Sequence, residues 1–183
     1  MRIINIIILA LSLSACTSMV NVDYDRETNF NSYKTYNVNI TPVRVSGDTR
    51  INSSFMQQRV VSELNKALIN KGFKNISKNQ DFDVQYYLDI KQDFETQDSG
   101  VVSLGLGSYS RHSSVGFGFT IPVGEPYSVD LLVLTIDLVS SKTKELIWRG
   151  SLGYHLYEGA TPETYTRLIK NLVTEILKEY PPK

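Results

Sequence analysis

Two alternating apolar runs joined by a charged turn constrain this chain more than any other feature. Over residues 128–140, Leu132, Leu134, Ile136 and Leu138 fall on one side of an extended chain. In the run that ends at Tyr157, Leu146, Trp148, Leu152, Tyr154 and Leu156 share one side, while Arg149, Ser151 and His155 take the other. Between them lies Ser140-Ser141-Lys142-Thr143-Lys144. Period-two alternation on both sides of a polar turn predicts a long antiparallel hairpin with one buried face. Such a face needs a cover, and two helical patterns elsewhere in the chain supply one.

The first pattern spans residues 52–71, with Met56, Val60, Leu64, Ala67 and Leu68 as its apolar stripe. Asn52 to Ser54 offer N-cap oxygens, Ser54 and Gln57 have capping-box spacing, and Gly72 suits the position just past the end. In the second, Thr161 is the N-cap, Pro162 takes the first helical position and Glu163 complements the dipole. Tyr165, Leu168, Ile169, Leu172, Val173, Ile176, Leu177 and Tyr180 follow helical spacing up to the Pro181-Pro182 stop.

The remaining segments read as strands. Val20, Val22 and Tyr24 alternate weakly, as in a short edge strand, and residues 33–40 put Tyr36, Val38 and Ile40 on one face. Residues 73–77 suggest another short strand. The cleanest lies between Phe82 and Thr96: Phe82, Val84, Tyr86, Leu88, Ile90 and Phe94 face in, and Asp83, Gln85, Tyr87, Asp89, Lys91 and Glu95 face out. The order strand, helix, strands, hairpin, helix predicts an α+β two-layer sandwich, a mainly antiparallel sheet with two amphipathic helices packed on one face. No repeat interrupts residues 22–183, which read as a single domain. With 183 residues and 42% hydrophobic content, the chain has material for a real core. Its 19 basic and 19 acidic residues cancel and are scattered, so nucleic acid is not an expected partner.

The N-terminus carries an address. Arg2 precedes an apolar run over residues 3–13 that is too short to span a bilayer as a helix. Leu13-Ser14-Ala15-Cys16 then resembles the bacterial lipoprotein processing motif. That resemblance implies removal of residues 1–15 as a signal peptide, diacylglycerol on the Cys16 sulfur, and an acyl chain such as palmitate on its new amine. Several acyl chains on one residue hold a protein to a membrane lastingly, where one alone binds only marginally. Thr17 stands where an Asp would imply retention in the inner membrane, so the expected location is the outer membrane, facing the periplasm. Residues 16–21 then form the lipidated cysteine and a short tether.

The words Val22-Asp23-Tyr24-Asp25 and Asn29-Phe30-Asn31-Ser32-Tyr33-Lys34-Thr35-Tyr36 resemble the opening motif of a bacterial lipoprotein family known as domain of unknown function 4136. Lys71-Gly72-Phe73, Asp81-Phe82-Asp83-Val84, Leu146-Ile147-Trp148-Arg149-Gly150 and the run from Ile176 to Pro182 fall where that family has similar words. Asn29 replaces a common Asp and Val38 a common aromatic residue. The resemblance implies a fold and a location, but no reaction and no catalytic residues.

Catalytic words are missing: there is no G-x-S-x-G, H-E-x-x-H, P-loop or C-x-x-C. The two histidines, His112 in a Gly/Ser loop and His155 on an outward strand face, have no clustered ligands in sequence, so no metal or other cofactor is expected. Asp83, Asp89, Asp93 and Glu95 share a strand face with Lys91, which reads as the solvated side of a half-buried sheet. Trp148 falls on an inward face, where packing is expected rather than ligand stacking. Eleven tyrosines are spread over strands and helix.

Residues 100–124 hold six of the eleven glycines. One reading is a flexible excursion; the other is a ribbon folded about Arg111-His112. That fold pairs Val102 with Ile121, Leu104 with Phe119 and Leu106 with Phe117. Gly105 then meets Gly118 and Gly107 meets Gly116 on the opposite side. Such a ribbon would prolong the flanking strands, with Gly124-Glu125-Pro126 absorbing a one-residue change of face. Leu104, Leu106, Phe117 and Phe119 are therefore the candidate interaction residues, beside Cys16 as the lipidation site. The expected function is a non-enzymatic interaction or envelope-accessory module, held to the membrane by its anchor and working through an envelope protein. The alternative is a binder of lipid or another hydrophobic envelope molecule, which needs an apolar cavity between helices and sheet.

Overall fold

A computed structural model describes the backbone of residues 20–96, 101–110, 113–122 and 126–182, and the side chains of residues 20–92 and 130–182. Cys16 and the rest of the predicted signal peptide and tether up to residue 19 lie outside the described residues. The predicted hairpin is present as β7 (Pro126–Ser140) and β8 (Leu146–Leu156), paired Leu132↔Tyr154, Leu134↔Leu152, Ile136↔Gly150 and Leu138↔Trp148. The register breaks between Leu138 and Val139. That bulge corrects one assignment: Leu146 is 45% exposed and Ile147 is buried in its place, because an extra residue on one strand moves everything beyond it by one step.

Along β7 lies β4 (Phe82–Thr96), antiparallel over its whole length from Phe82↔Ser140 to Thr96↔Pro126. On the far side of β8 lies the short edge strand β1 (Asn21–Tyr24), from Asn21↔Ser151 to Tyr24↔Trp148. The other flank differs from the mainly antiparallel expectation. Here β2 (Thr35–Val38) runs parallel to β4, and β3 (Lys74–Asn75) runs parallel to β2. The sheet is thus mixed, in the order β1-β8-β7-β4-β2-β3. Parallel neighbours need a crossover, and α1 (Ser54–Asn70) lies on the path from β2 to β4. A second correction falls here: β2 ends at Val38, and Ile40 is 72% exposed instead of facing inward. Its carbonyl accepts from the Tyr86 hydroxyl at 2.9 Å as the chain turns away toward Pro42.

Helix ends follow local chemistry. Ser53, in extended conformation, caps α1 by accepting from the Met56 amide at 3.2 Å, so the capping box expected at Ser54 and Gln57 is one residue out of phase. At the other end Gly72 has φ +90°, its amide reaches the Ile69 carbonyl (2.9 Å), and the Phe73 amide reaches that of Leu68 (3.1 Å). This is the double bond of a Schellman ending, whose left-handed residue glycine adopts without strain. The second helix, α2 (Pro162–Lys178), starts as its sequence predicts, with Thr161 accepting from the Thr164 amide at 3.3 Å.

Both helices cover one face of the sheet. Met56, Val60, Leu64 and Leu68 of α1, with Ile169, Leu172, Val173, Ile176 and Leu177 of α2, bury against Val84, Leu132, Leu134, Leu138 and Trp148. At one end the core is aromatic. The Tyr180 ring lies 5.3 Å from Trp148, 5.7 Å from Phe73, 5.8 Å from Phe30 and 6.1 Å from Phe82, centroid to centroid. Most of these pairs meet edge to face, the arrangement that ring quadrupoles favour. The opposite face of β7 is also well covered, with Val133, Thr135 and Asp137 buried.

Candidate functional site

The glycine-rich segment is a ribbon. Its strands β5 (Val101–Ser110) and β6 (Ser113–Pro122) pair Val102↔Ile121, Leu104↔Phe119 and Leu106↔Phe117, with Gly105↔Gly118 and Gly107↔Gly116 between them. This is the register expected from the sequence. Because strand positions alternate, the large apolar positions share one face of the ribbon and the glycine pairs share the other. Among the described residues, β5 and β6 pair only with each other. Gly124 and Glu125, and with them the predicted change of face, lie outside the described residues. β4 and β7 run past the end of β8 at Leu156↔Asp130, so a two-stranded arm reaches Thr96↔Pro126 before the ribbon begins.

Two of the outward carboxylates that sequence alone could group for acid–base work, Asp83 and Asp89, have hydrogen-bond partners. Asp83 accepts from Gln80 Nε2 (2.6 Å) and Ser141 Oγ (3.2 Å), with Lys144 Nζ at 3.8 Å, and so fastens the 140–146 turn to β4. Asp89 accepts from the Ile90 amide at 3.0 Å. The side chains of Asp93 and Glu95 lie outside the described residues, as does His112. His155 lies on β8, its ring 6.4 Å from that of Tyr157. Among the described residues no group of three His, Cys, Asp or Glu side chains is placed to hold a metal ion.

Sequence reasoning missed the acids with the strongest engagements. Asp81 Oδ2 accepts from the Lys34 amide, the Thr35 amide and the Thr35 hydroxyl, each at 2.8 Å, clipping the start of β2 to the start of β4. Burial pushes its pKa up, but those three donors outweigh it and hold the carboxyl below its usual value. Asp137 receives a two-pronged contact from Arg149 Nε and Nη2, both at 2.6 Å, which raises the pKa of the guanidinium. Arg50 joins Asp48 to Asp130 and so ties the loop before α1 to β7. These are fastenings across the chain. The Asp81 clip had a local sign in the Thr35 and Asp81 words, whereas the Asp137–Arg149 pair follows only from the hairpin register.

Trp148 is fully buried, as are Tyr36, Tyr86 and Tyr180, so these aromatics serve packing; burial lifts the Tyr86 hydroxyl to about 12. Tyr154 and Tyr157 instead border an open cleft of about 750 Å³ beside β8, whose wall includes Val20, Leu152 and Gly153, with Leu168 and Glu175 of α2. The cleft lies at the β8 edge of the sheet, where Leu152 and Tyr154 meet Leu168 and Glu175 of α2. Among the described residues no helix is long and apolar enough to cross a membrane.

A family model described as Domain of unknown function (DUF4136) matches residues 20–182. Among solved structures, a PDZ domain protein from Parabacteroides distasonis is similar at a TM-score of 0.54 and 12% identity, over 90% of this chain and 35% of that one. This chain thus spans about a third of that protein's length, and the likeness shows the fold alone. A PelC dodecamer from Paraburkholderia phytofirmans aligns over 86% of this chain and 95% of its own, at 9% identity and a TM-score of 0.44, too low to carry an argument. No curated protein matches the sequence.

Proposed function

The chain belongs to the DUF4136 family, and from that premise we propose that it is a lipid-anchored, non-enzymatic interaction module on the periplasmic side of the outer membrane. Its contact element is the β5–β6 ribbon and its partner is an envelope protein. The observation that supports this reading is the ribbon register, which puts the Leu104–Phe119 and Leu106–Phe117 pairs on one face of an element that, among the described residues, has no other strand beside it. An isolated two-stranded ribbon is marginal in water, and glycine weakens it further. It therefore needs a covering surface. A protein supplies both apolar contact and main-chain partners for the two open strand edges. Hydrocarbon supplies only the first and leaves the edge amides and carbonyls unsatisfied, so a bilayer fits less well. The alternative, a binder of lipid in an enclosed cavity between the layers, has less support, because the space between helices and sheet is occupied by core side chains.

The test is site-specific crosslinking from ribbon positions in native membranes, comparing wild type with the double variant Phe117→Asp, Phe119→Asp. The expected result is loss of the protein crosslink with little change in thermal unfolding. A double variant that unfolds far earlier would show that the ribbon belongs to the core, and crosslinks to lipid alone would move the contact to the bilayer. Cys16→Ser, followed with a fatty-acid label, checks the anchor. Wild type should carry the label and the variant should not; an unlabelled wild type, with unchanged membrane fractionation of the variant, refutes the lipoprotein reading.

A further inference from the structure

No charged residue enters either strand of the ribbon. Val101–Ser110 and Ser113–Pro122 contain no Asp, Glu, Lys, Arg or His, although 21% of the whole chain is charged. The nearest charged residues in sequence are Asp98, Arg111 and Glu125. The register divides the two strands between two faces. Val102, Leu104 and Leu106 share one with Phe117, Phe119 and Ile121. The other carries Ser103, Thr120 and the two glycine pairs, with Val101, Tyr109 and Pro122 only near its ends. One face suits hydrocarbon and the other suits water.

Length fits as well. Each strand has 10 residues, about 33 Å of extended chain at about 3.3 Å per residue. Tilted by about 40–45°, such a strand covers about 23–25 Å, close to the height of the apolar band on an outer-membrane β-barrel. What keeps a lone ribbon out of a bilayer is its pair of unsatisfied edges. Among the described residues β5 and β6 pair only with each other, so both outer edges are open over equal lengths.

We propose that ribbons from several copies of this chain join edge to edge and close into a transmembrane β-barrel. Copies entering a membrane in one orientation set β5 of one beside β6 of the next, antiparallel as within the ribbon itself. Every copy then offers one edge and receives another, a head-to-tail contact that closes into a ring. Closure satisfies the main chain, turns the Leu104–Phe119 face to lipid and borders the lumen with the glycine, serine and threonine positions. At two strands per copy, the smallest barrels of about eight strands need about four copies. A second copy fits better than a foreign barrel, because a barrel already closed has no edge to offer. The inference rests on the reading above, that the ribbon is the contact element at the outer membrane, and names its partner.

Purified full-length protein and dye-loaded vesicles of phosphatidylethanolamine and phosphatidylglycerol test it, with no other protein present. Wild type should release the dye and carry stepwise ionic current across a planar bilayer of the same lipids. Leu106→Lys puts a charge on the lipid-side face near mid-strand and should cut release at least about tenfold. Ser103→Lys puts it on the lumen-side face and should leave release within about twofold while shifting ionic selectivity toward anions. If Leu106→Lys also lowers the thermal unfolding of the domain, the selectivity of Ser103→Lys decides alone. Vesicles that stay sealed with wild type, or equal loss of release in both variants, overturn the barrel. Crosslinks in native membranes from the ribbon to a different protein, with none between copies, overturn it too but leave the interaction module standing. Dye release by a protein whose Cys16 carries no label would refute the anchor and leave the barrel in place.

Discussion

Gly150 sits on the helix-facing side of β8 between the Trp148 ring and α2, and the space its missing side chain leaves is taken. A Cβ there would lie 2.4 Å from Trp148 Cη2, 2.6 Å from Ile176 Cγ2 and 3.0 Å from Trp148 Cζ2. Carbon atoms settle at about 3.5–4.0 Å, so Gly150→Ala must push a buried ring and a helix apart by about an ångström. Overpacking of this kind costs about 1–3 kcal/mol. The better strand propensity of alanine returns about 0.5–1 kcal/mol. Because both neighbours are rigid and buried, a net loss of about 2 kcal/mol is expected, or a melting temperature lower by about 4–8 °C. Gly153→Ala is the milder comparison: its Cβ meets the half-buried Leu131 side chain at 2.8 Å and the buried Val133 Cγ2 at 3.3 Å, so a loss of about 1 kcal/mol, smaller than at Gly150, is expected. Thermal and urea unfolding followed by far-ultraviolet circular dichroism, which does not depend on Trp148, reads both. In a Trp148→Phe background, which removes the two ring atoms in the way, Gly150→Ala should cost about 1 kcal/mol less. A Gly150→Ala protein as stable as wild type, or additive behaviour in the cycle, would refute the packing argument.

Two further outcomes are expected. Trp148→Ala should lose about 3–5 kcal/mol while Lys142→Ala in the turn stays within about 0.5 kcal/mol of wild type; coincident urea midpoints would contradict the assignment of strand faces. Asp81, whose folded pKa is depressed, contributes stability that is present above its unfolded value near about 4 and is lost as pH falls through the lower folded value. The stability gap between wild type and Asp81→Asn should therefore be constant above about pH 5 and shrink in more acidic urea titrations; a gap that widens on acidification rules out the Asp81 clip.

Segments that bury one face of a continuous element were legible in the sequence. The β4 alternation, the α2 stripe and the ribbon register all follow from periodicity that one slip would destroy. That is why Leu88, Leu134, Trp148 and Leu172 share the core as their patterns required. What periodicity does not encode is which strand lies beside which. The parallel placement of β2 against β4 depends on a crossover through α1, and nothing in Thr35 to Val38 announces its direction. Leu146 was misplaced because a bulge is a tertiary accommodation, and Ile40 because a strand's end depends on what receives the chain. The candidate site was legible only where it repeats. Cross-strand positions in the ribbon can be counted, whereas the β8 edge cleft is assembled from Val20, Leu152 and Leu168, residues far apart in the chain.

Tyr180 has a meaning for the order in which the molecule can be finished. Its ring is touched by Phe30 near β1, Phe73 and Phe82 from the middle and Trp148 from the hairpin, yet it follows every strand and both helices of the domain. A chain emerging from its N-terminus holds β1 without β8, and later the whole sheet without the centre of its aromatic end. Such distant contacts repay the entropy of loop closure only once both sides exist. Locking of the domain is thus deferred to the residues just past α2. Until then Phe30, Phe73, Phe82 and Trp148 lack the ring that joins them.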